Sequence, residues 1–250
     1  MPTGLRQVAC LNRIVAAMRA VEGTWTSLLP KQRTEAIANA VLAELRLILV
    51  APPQLEVAIF PGLSGQFDFG PWKLQVDQGM AVGKVGQSPI AKIAELGDTI
   101  THEARHCEQW YRMARLLAAE RRAKGILVDG REIGKRLGIN NMAVCNQAAG
   151  AAPLMGIEKT EAEDWYNSVY GSQASFREQT YSTQLRPTGL QTGSDWQGSK
   201  FARYQRALAE EEDAWSTGTE LQNLYLAFHP GVPATQMTRH QPVRAGISTY

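Results

Sequence analysis

Residues 88–125 read SPIAKIAELGDTITHEARHCEQWYRMARLLAAERRAKG. Ser88 is a residue type that caps helix N-termini, and Pro89 suits the first helical position because its φ is already fixed. Apolar residues then recur at helical spacing as far as Lys124, and Gly125 fits the left-handed position beyond a helix end. Gly97 and Asp98 mark where the stretch would divide into two helices, with Asp98 capping the second. At the centre stands THEARHCEQW, residues 101–110, which contains His102-Glu103-Ala104-Arg105-His106. Residues four apart on a helix lie one above the other on the same face, so both imidazoles can reach one metal ion. Glu103 lies one residue round from His102, within reach of a water held there. Zinc (Zn2+) favours such nitrogen and oxygen ligands with a fourth position left open, and a carboxylate beside an acidified water is placed to act as general base. Ile100, Trp110, Met113 and Leu117 are available for the core.

Upstream of this helix, Leu5, Val8, Leu11, Val15, Met18 and Val21 form a helical stripe with the arginines on the other side. A second helix fits 31–50, with Ile37, Val41, Leu45 and Ile48 inward, and Pro52 and Pro53 stop it. The period then changes to two. QLEVAIF (54–60) reads as a strand, GLSGQ as a turn, and FDFGPWKLQVDQG (67–79) as a half-buried strand with Trp72, Leu74 and Val76 opposite Lys73, Gln75 and Asp77. In HExxH peptidases an edge strand of this kind lies along the cleft and pairs with an extended substrate. The fold class expected is α+β: helix-rich, with a small, mainly antiparallel sheet next to the HExxH helix.

Downstream, 126–170 holds short helical stretches, REIGKRLGI and Trp165–Tyr170 among them, and 182–199 reads as a long loop. A helix is predicted from Ser199 to Phe228, followed by a loose tail. Its apolar stripe runs Tyr204, Leu208, Trp215, then Leu221 or Gln222 and Tyr225. Glu211 continues that stripe between Leu208 and Trp215, and a carboxylate on a buried stripe is costly unless something pairs with it. A metal ion would. The long form with a third histidine six residues after His106 is excluded, because Gln109 and Arg112 occupy the positions that need Gly and His. Glu211 is therefore the leading third ligand, with Glu212 next and Glu163, His229 and His240 as alternatives. Glu210 and Asp213 are read as pointing to water. Tyr204, Tyr225, His229 and His240 are candidates to stabilise an oxyanion. Asp98 or Asp213 could accept the second N–H of a metal-bound histidine. Cys10, Cys107 and Cys145 read as small core residues.

The composition narrows the function classes. With 26 basic and 24 acidic residues the net charge is +2, too even for a chain that binds nucleic acid by bulk charge. Three cysteines do not make a disulfide framework. Arg6, Arg13 and Arg19 interrupt the N-terminal apolar stretch, so a classical secretion signal is not expected, and no apolar run is long enough to span a membrane. The chain is read as cytoplasmic at synthesis; delivery by a specialised secretion system would leave no trace of this kind. A non-enzymatic rival is a helix-turn-helix in DGREIGKRLGINNMAV (129–144), with Gly138 at the turn, but INNMAV carries no Arg or Lys to read DNA. A scaffold that binds a partner without turnover gains no support from a sequence that keeps His, Glu and His.

HEARHCEQW followed by a downstream EEEDAW resembles the zincin-like metallopeptidases of the gluzincin type. More narrowly it is similar to bacterial domains carrying HExxHxxQ and a later E-E-x-x-A helix, found in polymorphic-toxin and effector metallopeptidases. His102, Glu103, His106 and Gln109 carry the first match; Glu210, Glu211, Ala214 and Trp215 carry the second. The resemblance implies a zincin-like fold over 1–228, with His102, His106 and Glu211 as zinc ligands and Glu103 as general base. About a hundred residues separate the second and third ligands, which implies an inserted subregion at 125–198, with 229–250 as a C-terminal tail. It implies a peptide or protein substrate, with an immunity protein or secretion partner, and neither nucleic acid nor membrane. Tyr204 and His240 are the residues assigned to assist Glu103 in catalysis. A peptidoglycan peptide amidase or endopeptidase would use the same ligands and base.

Overall fold

The structure is a computed structural model and describes residues 3–171, 174 and 208–231. Its helices are α1 (Val8–Thr24), α2 (Pro30–Leu47), a single turn α3 (Gly79–Val82), α4 (Pro89–Ala123), α5 (Gly130–Leu137), α6 (Met142–Gly150), α7 (Gly156–Tyr170) and α8 (Ala209–Leu226). The strands are β1 (Gln54–Ala58), β2 (Gly65–Asp68) and β3 (Lys73–Asp77). The protein is a helix-rich α+β fold with one small sheet, as the hydrophobic periods predict.

Helix α4 organises the rest. It is 35 residues long, or about 52 Å at 1.5 Å per residue. Ser88 caps it by accepting a hydrogen bond from the Ala91 N–H at 3.2 Å, with Pro89 in the first turn. The helix runs unbroken through Gly97. That glycine marks a close approach rather than a break: a Cβ there would stand 2.5 Å from Cε of Met18 on α1. Every residue from Ile93 to Ala114 is buried, with α1 and α2 at one side, α5, α6 and α7 at another, and α8 and β2 along the motif. A helix covered on all sides is ordinarily apolar all round. This one buries Glu95, Asp98, Arg105, Glu108, Gln109 and Arg112 as well as the motif residues. Glu108, for one, is tied into a buried ionic network.

The sheet has the order β1-β3-β2. β2 and β3 pair antiparallel, with Phe67 opposite Leu74, whereas β1 and β3 pair parallel, with Val57 opposite Val76. The expected mainly antiparallel sheet is therefore mixed. The stretch 67–79, read as one strand, divides at Gly70-Pro71, and β2 begins earlier, at Gly65. Gly-Pro is a strong turn signal that the alternation on either side overrode. Trp72 closes the turn with φ 61. It is held there by its indole N–H, which donates to the Ala51 carbonyl at 2.9 Å, and by the edge of Phe67 at 5.0 Å. β2 is consequently an edge strand, and it is the strand that lies on α4.

At the far side, α5, Gly138 (φ 71) and α6 form a helix, a turn and a helix. Val144, Cys145 and Ala148 face inward and Asn146 and Gln147 outward. The three cysteines are buried free thiols. Helix α8 begins at Ala209 after an extended Leu208, ten residues later than Ser199; residues 199–207 and the expected loop at 182–199 lie outside the described residues. Among the described residues no helix is long and apolar enough to cross a membrane.

Candidate metal centre

The third and fourth turns of the buried stretch bring His102, Glu103 and His106 to one side of α4. The first turn of α8 crosses that side. Gly218 allows the crossing: a Cβ there would sit 2.2 Å from an Asp98 carboxylate oxygen. The Nε2 atoms of His102 and His106 are 3.1 Å apart. Glu211 places Oε2 3.8 Å from His102 Nε2 and Oε1 3.7 Å from His106 Nε2. Among the described residues these three form the group whose ligand atoms converge within 4.8 Å. Around a tetrahedral zinc with ligand bonds near 2.0–2.1 Å, neighbouring donor atoms stand about 3.3 Å apart. The observed separations bracket that value, and two imidazoles with one carboxylate are a zinc-type donor set. The residues fit the ion.

Glu103 is held beside the group. Its Oε2 accepts the Phe67 N–H of β2 at 2.8 Å, and its Oε1 lies 3.9 Å from His102 Nε2. The edge strand thus orients the expected general base. Trp215 covers His102, with ring centroids 4.6 Å apart, and Trp110 stands edge-on to His106 at 6.2 Å. Phe69 stacks on Trp110 at 5.1 Å. All four polar residues are buried.

The electrostatics follow from crowding in a dry place. Burial and the neighbouring His106 push His102 down to about 3. Burial also opposes a charge on His106, but Glu211, Glu103 and Gln109 outweigh it and push His106 up to about 9. Two imidazoles this close cannot both hold a positive charge, so one takes the proton and the other loses it. Burial pushes Glu103 up to about 7, against the pull of His106 and of the Phe67 N–H. The positive charge of the pair is therefore favoured on His106, beside Glu211.

Behind His106 lies a chain of hydrogen bonds. His106 Nδ1 meets Gln109 Oε1 at 2.8 Å. Gln109 Nε2 donates to the Glu210 carbonyl and to Asp213 Oδ2, each at 2.8 Å. Arg105 donates from Nε to Asp213 Oδ2 at 2.7 Å and from Nη2 to Oδ1 at 3.1 Å. Burial alone would raise Asp213, but Arg105 holds it below the usual carboxylate range.

The other expected residues fall as follows. Glu212 is exposed, and Glu163 pairs with Lys159 on the surface of α7 at 3.4 Å. Glu210 and Asp213, expected to face water, are turned inward: Glu210 is 3% exposed, and Asp213 is bound to Arg105. The helix crossing rotates this turn of α8 further toward α4 than the apolar stripe alone implies. Tyr225 lies 14 residues beyond Glu211 on α8, about 21 Å along the helix axis. Its hydroxyl donates to Glu22 at 3.0 Å, and His229 meets the same carboxylate at 3.2 Å. Tyr204 and His240 lie outside the described residues. Asp213 does support a histidine, but through Gln109 rather than directly. The roles of Arg105 and Gln109 went unread in the sequence; the available signal was a glutamine one turn after His106 on its own face. No protein-family model, curated protein or solved structure matches the chain.

Proposed function

We propose that this protein is a zinc-dependent metallopeptidase of the gluzincin type, with His102, His106 and Glu211 as zinc ligands and Glu103 as general base. The observation that carries this reading is the convergence of Glu211, from a helix about a hundred residues away in sequence, on the histidine pair to within 4.8 Å. When bound, zinc supplies Lewis-acid chemistry: it polarises a carbonyl and acidifies a water. The chain's own residues do the rest. Glu103 would accept a proton as general base and return it to the leaving amine, with its carboxylate held in place by the Phe67 N–H. Trp215 and Trp110 limit access of bulk water to the histidines. β2, at the edge of the sheet, favours a peptide as substrate, because an extended chain adds to a sheet edge through backbone hydrogen bonds. The resemblance to effector and toxin domains suggests a delivered protein with an immunity-type partner.

Metal analysis of the purified protein tests the site. Wild type and Glu103→Ala are expected to hold one zinc each, and His106→Ala none. Hydrolysis by Glu103→Ala is expected to fall by about 10²–10⁴, the usual worth of a general base. A wild type that takes up no zinc overturns the proposal. Incubation with denatured protein and, separately, with peptidoglycan then tells a protease from a cell-wall peptidase.

A further inference from the structure

Gln109 is fully buried and makes three hydrogen bonds, two of them to groups whose role is fixed by chemistry. A backbone carbonyl and a carboxylate oxygen can only accept from it. The side of the amide facing Glu210 and Asp213 must therefore be its NH2, and the side facing His106 must be its oxygen. An amide oxygen accepts, so Nδ1 of His106 must carry hydrogen. The lone pair available to a ligand is then on Nε2, the atom that faces His102 and Glu211. The same amide holds the carbonyl of Glu210, the residue before Glu211, so it fixes the first turn of α8 as well. Arg105 grips both oxygens of Asp213 and so prevents the chain from reversing its direction.

We propose that Gln109, backed by Asp213 and Arg105, is a positioning residue that sets the two ligands on different helices at once: His106 through its Nδ1 hydrogen, and Glu211 through the backbone of α8. The inference rests on the metal reading above and adds to it a second layer that decides affinity. Outer groups of this kind typically account for 10–100-fold in metal affinity. Cys107 and Glu108, the two residues before Gln109 on α4, face other parts of the core and cannot replace it.

The test is zinc affinity measured by competition with a chromophoric chelator. Gln109→Met keeps the length of the side chain and removes all three hydrogen bonds; the expected result is binding weakened 10–100-fold. Val41→Ala, on α2 in the core, serves as a control that loses stability without touching the chain. It is expected to keep wild-type affinity. In the zinc-loaded wild type the His106 Nδ1 hydrogen should give a slowly exchanging proton resonance, and this should be lost in Gln109→Met. Gln109→Glu carries the same test if the Met substitution does not fold. It still accepts from His106 but no longer donates to Glu210, so the resonance should survive while affinity falls. If the wild type binds zinc and Gln109→Met binds it as tightly as Val41→Ala, the positioning role is overturned and the metal reading stands. If the wild type binds no zinc, the metal reading falls and this inference with it.

Discussion

On one face of α4, Arg105, Glu108 and Arg112 meet Asp213, Glu161 and the backbone of Thr3 and Leu5; on the next, His102, Glu103 and His106 meet Glu211 and the Phe67 N–H. Both faces bury carboxylates, but they neutralise them differently. On the first, Glu108 lies 2.6 Å from Arg105 and 2.6 Å from Arg112, and Arg112 reaches Glu161 at 3.0 Å. Trp165 lies under both guanidinium groups, at 5.1 and 5.9 Å. Guanidinium is charged at every accessible pH, so this cluster carries its own cations. On the second face the bases are imidazoles, which can give up their proton and offer a lone pair. A cluster complete in itself is a structural device; one whose positive charge is exchangeable can take a metal in its place. Gln109 lies between the two faces and joins them.

The largest effect expected is on the first face. Glu108→Ala leaves two buried guanidinium groups short of a partner, and breaking a buried pair from one side costs about 3–5 kcal/mol. Denaturant unfolding should show that loss equally with and without zinc. A loss that shrinks when zinc is added would mean that Glu108 also acts on the second face, through Arg105. The next effect belongs to the second face. Zinc at about a hundred times its dissociation constant should stabilise the wild type by about 2.7 kcal/mol. His106→Ala should abolish that gain. An equal gain in His106→Ala would place zinc somewhere other than between these residues.

The sequence displayed the second face far better than the first. The histidine pair shows as a spacing of four, and Glu211 shows as a carboxylate interrupting an apolar stripe; both signals are local. Arg105, Glu108 and Arg112 sit at spacings of three and four with alternating charge, which in sequence looks the same as a solvated helix face. They are buried because α7 and the N-terminal residues fold over them, a tertiary fact that periodicity does not carry. The same limit explains Glu210 and Asp213, whose turn inward depends on the angle at which α8 crosses α4. The helices α1, α2 and α4 were legible from their apolar stripes, and α4 also from its Ser88 cap. The β2–β3 turn was not, because alternation on both sides of Gly70-Pro71 is continuous. β1 beside β3 in parallel is likewise a pairing of distant segments that no local pattern specifies.

The smallest effect separates the faces by pH in the metal-free protein. His106 is raised in the folded state from 6.5 to about 9, so its contribution to stability is fully present below 6.5 and is lost as pH rises through about 9. Glu103 is raised from 4.5 to about 7, and its contribution is also lost with rising pH, mostly before 7. His102 is lowered to about 3, so its effect lies at the acid end and is lost as pH falls below 6.5. Between pH 6.5 and 9 the slope therefore has one sign: stability should fall, on the order of 1–2 kcal/mol in all, because the groups share one proton and do not titrate independently. His106→Ala should flatten the curve. The cost of Glu108→Ala should stay constant over the same range, since the arginines of the first face do not titrate there. Zinc reverses the dependence, because its ligands must be unprotonated and binding tightens as pH rises. A metal-free stability curve that is flat or rising between pH 6.5 and 9 would show that the second face holds no exchangeable proton, and the contrast with the first would be lost.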